Sequence, residues 1–301
     1  MSERDELRGI VRDLLARLSR PREHEFGYDE ALWQRLSSEI GVAALCIPES
    51  YGGAGASLGE TAAVLEELAY ALTPAPLLAS AITASALLLG GSEDRKAELL
   101  PRIAAGETAT VALGPVVLEP EATIVLRADL SPTSVAPADS LDPLSRLGRA
   151  GDLGAPSPEL VAVAAALSTA GLLGVSRRAL DDTVAYSKER VQFGRPIGSF
   201  QALKHRMADL LVLVEMMRSA SWAATDAAAA YVADQGSSDD VLRLAAVAQS
   251  YCARAARTVT GEAIQLHGGI AITWEHDAHL MFKHAHALGA LVPQLTAAAR
   301  L

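Results

Sequence analysis

Two runs of this chain gather residues whose types and spacing could do chemistry. The first is Glu189-Arg190-Val191-Gln192-Phe193-Gly194-Arg195-Pro196-Ile197-Gly198-Ser199-Phe200-Gln201. Arg190 can pair with a diphosphate, Phe193 can lie against a flat ring, and Gln201 can read a polar edge. The second is Gln265-Leu266-His267-Gly268-Gly269-Ile270-Ala271-Ile272-Thr273-Trp274-Glu275. There a helical pattern stops at two glycines, where backbone can approach a ligand that a side chain would hold off. Read plainly, Arg190 to Gln201 is a connection in which Arg195-Pro196 stops one helix and Gly198-Ser199 opens the next. That account explains Pro196 and Gly198, but not why arginine, phenylalanine, glycine and glutamine fall together.

The elements that must position these runs are helical. Half of the 301 residues are hydrophobic, yet aromatics are only 4%, and alanine and leucine favour helix over strand. Leu7, Ile10, Val11, Leu14, Leu15 and Leu18 recur at helical spacing, and Asp29 suits the cap of a helix carrying Leu32, Trp33 and Leu36. Further helices are expected over 58–72, 79–89 and 93–105. Between 108 and 150 the prolines at 115, 120, 132, 137 and 143 leave room for two or three short strands, too few for a closed barrel. From Pro158 four long helical segments follow, 158–190, 200–234, 238–267 and 275–301, which predicts an antiparallel four-helix bundle.

The net charge of −10 argues against a nucleic-acid surface. Leu160 to Val175 is apolar but short of a membrane span, so it reads as a core helix. A charge-dense start without a secretory pattern, and cysteines only at Cys46 and Cys252, point to buried free thiols in a cytoplasmic, reducing compartment. The histidines 276, 279, 284 and 286 with Asp277 raise a metal question. His276 and His279 are three apart rather than four, and no cysteine lies near, so a solvated or interface-facing helix is the expectation.

Taken together, the two runs resemble the flavin-binding signature of the acyl-CoA dehydrogenase family. Arg190, Phe193, Gly194, Pro196, Ile197, Phe200 and Gln201 match its R-x-x-F-G-x-P-I and F-Q pattern. Gln265, His267, Gly268, Gly269, Thr273 and Glu275 match its later Q-x-H-G-G-x-G-x-T-x-E segment, with Ala271 where that pattern has a glycine, which implies a less open loop. Ile47-Pro48-Glu49, Tyr51-Gly52-Gly53, Val64 to Leu68 and Leu99-Leu100-Pro101 resemble the family's helical first domain.

The resemblance implies a mainly α fold: a helical N-terminal domain over 1–107, a truncated β middle segment over 108–150 and a C-terminal four-helix bundle over 151–301. It implies FAD as cofactor, an acyl-CoA substrate, α,β-dehydrogenation of the thioester, and a place in lipid metabolism. Arg190, Phe193, Gln201, Gln265, Gly268 and Gly269 are the expected cofactor-binding residues, holding the adenosine diphosphate half, in part that of a neighbouring subunit.

Two departures from the family bear on catalysis. The reaction needs a carboxylate to remove the α-proton while flavin takes hydride from the β-carbon. The family's two positions for that base fall on Leu291 or Val292 and on Ala164, none of which can abstract a proton. Glu159 and Glu275 are the nearest carboxylates in sequence, but Glu159 reads as a helix N-terminal acid and Glu275 as part of the cofactor loop. The second departure is the short middle segment, although Ser140 to Arg146 resembles the usual exit from the family's β-barrel. Actinobacterial members of the family include pairs of unlike subunits sharing one site, and this chain fits the cofactor-supporting role, in a dimer of dimers with another such subunit. The alternative is a scaffold that no longer binds flavin; a self-sufficient enzyme with a relocated base stands last.

Overall fold

A computed structural model of the chain describes residues 3–18, 27–151 and 153–297. Helix α1 (Glu3–Leu18) buries Val11 and Leu15, while Ile10, placed on the same face by its spacing, is exposed. Asp29 caps α2 (Glu30–Arg35), its carboxylate accepting from the Ala31 and Leu32 amides. A π turn follows over Leu36–Ile40, and Trp33 Nε1 donates to the Gly106 carbonyl at 2.8 Å. Helix α3 (Leu58–Tyr70) opens with a reciprocal Ser57–Glu60 capping box. Helices α4 (Leu77–Gly90) and α5 (Glu93–Ala104) complete this part.

The middle segment holds five three-residue strands rather than two or three. β1 (Ala109–Val111) pairs in parallel with β3 (Ile124–Leu126). β5 (Leu147–Arg149) lies between β2 (Val116–Leu118) and β4 (Ala136–Ala138), antiparallel to both. The prolines permit this because the pairings are so short. Pro137, which has no N–H to give, sits in edge strand β4. Two small open sheets result, in place of a barrel.

The bundle consists of α6 (Pro158–Glu189), α7 (Gln201–Val232), α8 (Ser238–His267) and α9 (Ala278–Ala297). The predicted continuation of the last helix over 298–301 lies outside the described residues. Short connections make successive helices antiparallel. The C-terminal ends of α6 and α8 therefore meet the N-terminal ends of α7 and α9 at one end of the bundle. Ser157 caps α6 and Pro158 occupies its first turn, where a missing N–H costs nothing. Helix α6 is long and apolar enough to cross a membrane, but 89% of that stretch is buried against its neighbours, as a core helix requires. Cys252 is fully buried and Cys46 partly so; desolvation pushes their thiols up to about 12 and about 11, so neither is a nucleophile at neutral pH.

Candidate cofactor-binding end of the bundle

The connection between α6 and α7 is a β-hairpin, β6 (Val191–Gln192) against β7 (Arg195–Pro196). Phe193 and Gly194 form its two-residue tip with φ of 53° and 77°. Positive φ at both positions is the primed turn that matches strand twist, and phenylalanine adopts it at a cost that asparagine or glycine avoids. Phe193 nevertheless stands 92% exposed. Behind it, the Arg195 guanidinium stacks on the Phe200 ring at 4.0 Å; Arg190 is also exposed and carries no such ring contact. Among the described residues, no side chain pairs with the Arg190 guanidinium.

Helix α8 ends at Gly268, whose φ of 69° and ψ of −148° belong to glycine almost alone. Gly269 has no such backbone demand, and a Cβ built on it would meet nothing within 4 Å. Nothing inside the chain asks for glycine there, as fits a position kept open for an incoming group. Ala271, expected to close the loop, is fully buried, so its methyl turns into the core.

Two contacts bind these loops together. The Tyr186 and His267 rings lie 4.6 Å apart, which joins the turn before Arg190 to the residue before Gly268. Arg206 pairs with Glu262 at 2.7 Å and ties the start of α7, which carries Gln201, to the last turns of α8, which carry Gln265. All six expected cofactor residues thus sit on one end of the bundle, and all six are exposed. Gln201 Nε2 lies 3.2 Å from His205 Nε2. His267 is 4% exposed: its Nδ1 donates to the Ala263 carbonyl at 2.7 Å, and its Nε2 is a buried atom with no hydrogen-bond partner among the described residues. Tyr186 and Arg206 escape a reading by motif because their roles are long-range contacts.

The positions where the resemblance places a catalytic carboxylate are apolar and buried: Ala164 at 0% exposure, Leu291 and Val292 at 5% each. Glu159 accepts a hydrogen bond from the Ser238 hydroxyl at 2.8 Å, where α6 and α8 begin, the far end of the bundle from Arg190. Glu275 is exposed on the turn before α9. The histidines of the last helix are engaged individually: His279 with the His276 carbonyl, His286 with that of Phe282, His284 with Asp142. Among the described residues, no group of three His, Cys, Asp or Glu converges as metal ligands would.

A helical layer, two reduced sheets and a four-helix bundle with its loop motifs at one end form the frame of an oxidoreductase class. Residues 2–107 match the family model for the acyl-CoA dehydrogenase N-terminal domain, residues 160–291 match that for its C-terminal domain, and the chain belongs to the acyl-CoA dehydrogenase family. It is 41% identical to acyl-CoA dehydrogenase IpdE2 of Mycobacterium tuberculosis, over 96% of this chain and 93% of that one. Among solved structures it is similar to the Tcur3481-Tcur3483 steroid ACAD, with TM-score 0.85, 26% identity and coverage of 99% and 96% of the two chains. The ChsE4-ChsE5 complex from Mycobacterium tuberculosis is similar at TM-score 0.75 and 25% identity, covering 100% and 96%.

Proposed function

We propose that this chain supplies the adenosine diphosphate side of an FAD site shared with a second, unlike acyl-CoA dehydrogenase subunit, and so takes part in α,β-dehydrogenation of a CoA thioester. The observation that carries this reading is the division of the chain's features. The loop end is built and open, while the positions for a base are filled with aliphatic side chains.

The residues present fit a flavin dinucleotide. Arg190 offers an uncommitted guanidinium for phosphate, Gly269 leaves room for close backbone approach, and Phe193 offers an exposed ring face. Gln201 and Gln265 add amide groups at the same end. Bound flavin would accept the hydride leaving the substrate's β-carbon. The chain's own residues hold and orient the dinucleotide, and the carboxylate that takes the α-proton comes from the other subunit. Both similar structures named above are pairs of differently named chains, which supports a heteromeric assembly. An outward apolar stripe on α7, with Leu211, Val212 and Met216 each at least half exposed, suits burial between subunits.

The visible spectrum tests the proposal. The chain is purified alone and after co-expression with a candidate partner subunit. Yellow protein only in the mixture, with the colour lost from an Arg190→Met complex, is the expected result. Protein that is colourless in both preparations points instead to a scaffold. Flavin and acyl-CoA turnover in the isolated chain would overturn the shared site in favour of a self-sufficient enzyme.

A further inference from the structure

Helices α3 and α6 pack closely at Gly174, where a Cβ would run into the Glu66 carbonyl and press on Ala69. One turn further along α6, on the same face, is Arg178. The close packing brings its guanidinium to the end of α3, whose final residue is Tyr70. Arg178 spreads its three nitrogens over three parts of the chain. Nε donates to Asp182 Oδ2 at 2.7 Å on α6 itself, and Nη1 donates to the Tyr70 carbonyl at 3.3 Å. Nη2 lies 3.5 Å from Asp277 Oδ2, on the turn that leads into α9. Tyr70 is held in its turn: its hydroxyl donates to Asp181 at 3.0 Å, and the Arg177 guanidinium lies over its ring at 5.1 Å.

The Tyr70 carbonyl is one of those that an α-helix leaves without an internal partner at its C-terminal end, where a cation is favoured. Asp277 opens α9, its carbonyl accepting from the Leu280 and Met281 amides at 3.0 and 3.1 Å. Arg178 therefore joins the C-terminal end of one helix to the N-terminal end of another, across a third. The Arg178 and Asp277 side chains are 25% and 19% exposed, so bulk ions screen this pair less than one on the open surface.

Asp277 is also the last link of a short ladder that runs back toward the paired glycines. Thr273 donates its amide to the Ile270 carbonyl at 3.1 Å and its hydroxyl to the same oxygen at 2.8 Å. The His276 amide donates to the Thr273 carbonyl at 3.4 Å. His276 Nδ1 accepts from the Ala278 amide at 3.1 Å, and its ring lies 4.4 Å from that of His267. A displaced Asp277 thus pulls on His276, Thr273 and Ile270, the last of them adjoining Gly269.

We infer that Arg178 is a positioning residue: from the end of α3 it fixes the segment between Gly268 and Asp277, and with it the backbone offered to a dinucleotide phosphate. The step to phosphate rests on the shared flavin site proposed above; the hold on the loop does not. Lysine cannot take over this role, because a single ammonium cannot face acceptors spread over α3, α6 and the turn before α9.

Trp274 reports on the loop, while the other tryptophans, Trp33 and Trp222, lie on α2 and α7. Fluorine NMR of the full-length chain labelled with fluorotryptophan follows all of them, each signal assigned by its Trp→Phe variant. Arg178→Gln and Asp277→Asn should each shift or broaden the Trp274 signal and leave the other two in place. Arg178→Lys should resemble Arg178→Gln, and the double variant should move Trp274 no further than either single one, since both remove the same contact. Asparagine is a good residue at a helix start, so Asp277→Asn still decides if Arg178→Gln fails to fold. A Trp274 signal unmoved in the folded variants, a double effect equal to the sum of the single ones, or Arg178→Lys matching the unmodified chain would each overturn the inference. In the complex, flavin retention should fall about tenfold for either single variant. Retention unchanged while Trp274 moves would overturn the step to phosphate. Complexes that take up no flavin even without substitution would strike the shared site instead, and the Trp274 signal then decides the role of Arg178 alone.

Discussion

The Tyr186 and His267 rings stand 4.6 Å apart, tilted by 31°, and join the C-terminal end of α6 to that of α8. The His276 ring lies 4.4 Å from that of His267, so the cluster also reaches the turn before α9. Tyr186 lies four residues before Arg190 and His267 one before Gly268, so the stacked rings tie together the chain segments that carry both. Tyr186→Phe keeps the ring and should leave flavin retention unchanged within twofold. Tyr186→Ala should cost about 1–2 kcal/mol of stability and weaken flavin retention in the complex about tenfold. Denaturant unfolding and flavin fluorescence after gel filtration measure both. Equal behaviour of the two variants would mean that the ring cluster does not set the loop geometry.

Phe193 trades stability against exposure. Asparagine tolerates positive φ far better, and Asn-Gly is the preferred pair for such a tip. Phe193→Asn should stabilise the hairpin by about 0.5–1 kcal/mol, seen as slower amide exchange at Gln192 and Arg195, while flavin affinity falls. A variant that gains neither protection nor loses flavin would show that the strained ring serves no ligand.

Arg177 of α6 reaches Glu66 at 2.5 Å and Glu67 at 3.3 Å, two carboxylates of α3 that are each 1% exposed. Arg8 and Arg12 of α1 bind the same pair from the opposite side, both at 2.8 Å. Removing one guanidinium leaves buried negative charge short of its counter-ion, so Arg177→Met should cost about 3 kcal/mol in urea unfolding. Arg35→Met, which breaks only the exposed pair with Glu39, should stay within about 0.5 kcal/mol. Similar costs for the two would show that burial adds nothing to this network.

Glu119 makes stability depend on pH with a definite sign. Unfolded, it titrates near pH ~4.3; folded, its carboxyl is pushed up to about 7 by burial. Between those values the folded protein keeps a proton that the unfolded chain has lost, so stability falls as pH rises through that window. Glu119→Gln removes the titration. Relative to it, the unmodified protein should lose about 2 kcal/mol from weakly acid to weakly alkaline conditions, after allowance for partial exposure. Parallel stability curves for the two proteins across that range would refute the raised carboxyl.

The bundle was legible because its helices run long between strong breakers, and the loop residues because glycine, proline and arginine fall together at both ends. The six residues named for the cofactor lie in or beside the two breaker-rich connections and are exposed. The middle segment was harder. Three-residue strands such as β4, with Pro137 at its centre, leave no alternation to read. Ile10 kept the right spacing and still faces outward, since α1 is anchored to α3 by Arg4, Arg8 and Arg12 as well as by its apolar stripe. The Asp142–His284 contact spans most of the bundle's sequence, and nothing local to either residue announces the other.

On the proposed shared site, Ala164 marks what a return to working alone would require. A glutamate introduced there would put a carboxylate at a position that is 0% exposed. Every intermediate on a road back to self-reliance would pass through a destabilised fold, unless neighbouring helices gave way at the same time. A change from glutamate to alanine removes only a few atoms, whereas the reverse change here demands a coordinated rebuilding. If the proposed shared site holds, such interdependence would work as an evolutionary ratchet: with the interior closed over, a companion subunit could no longer be dispensed with.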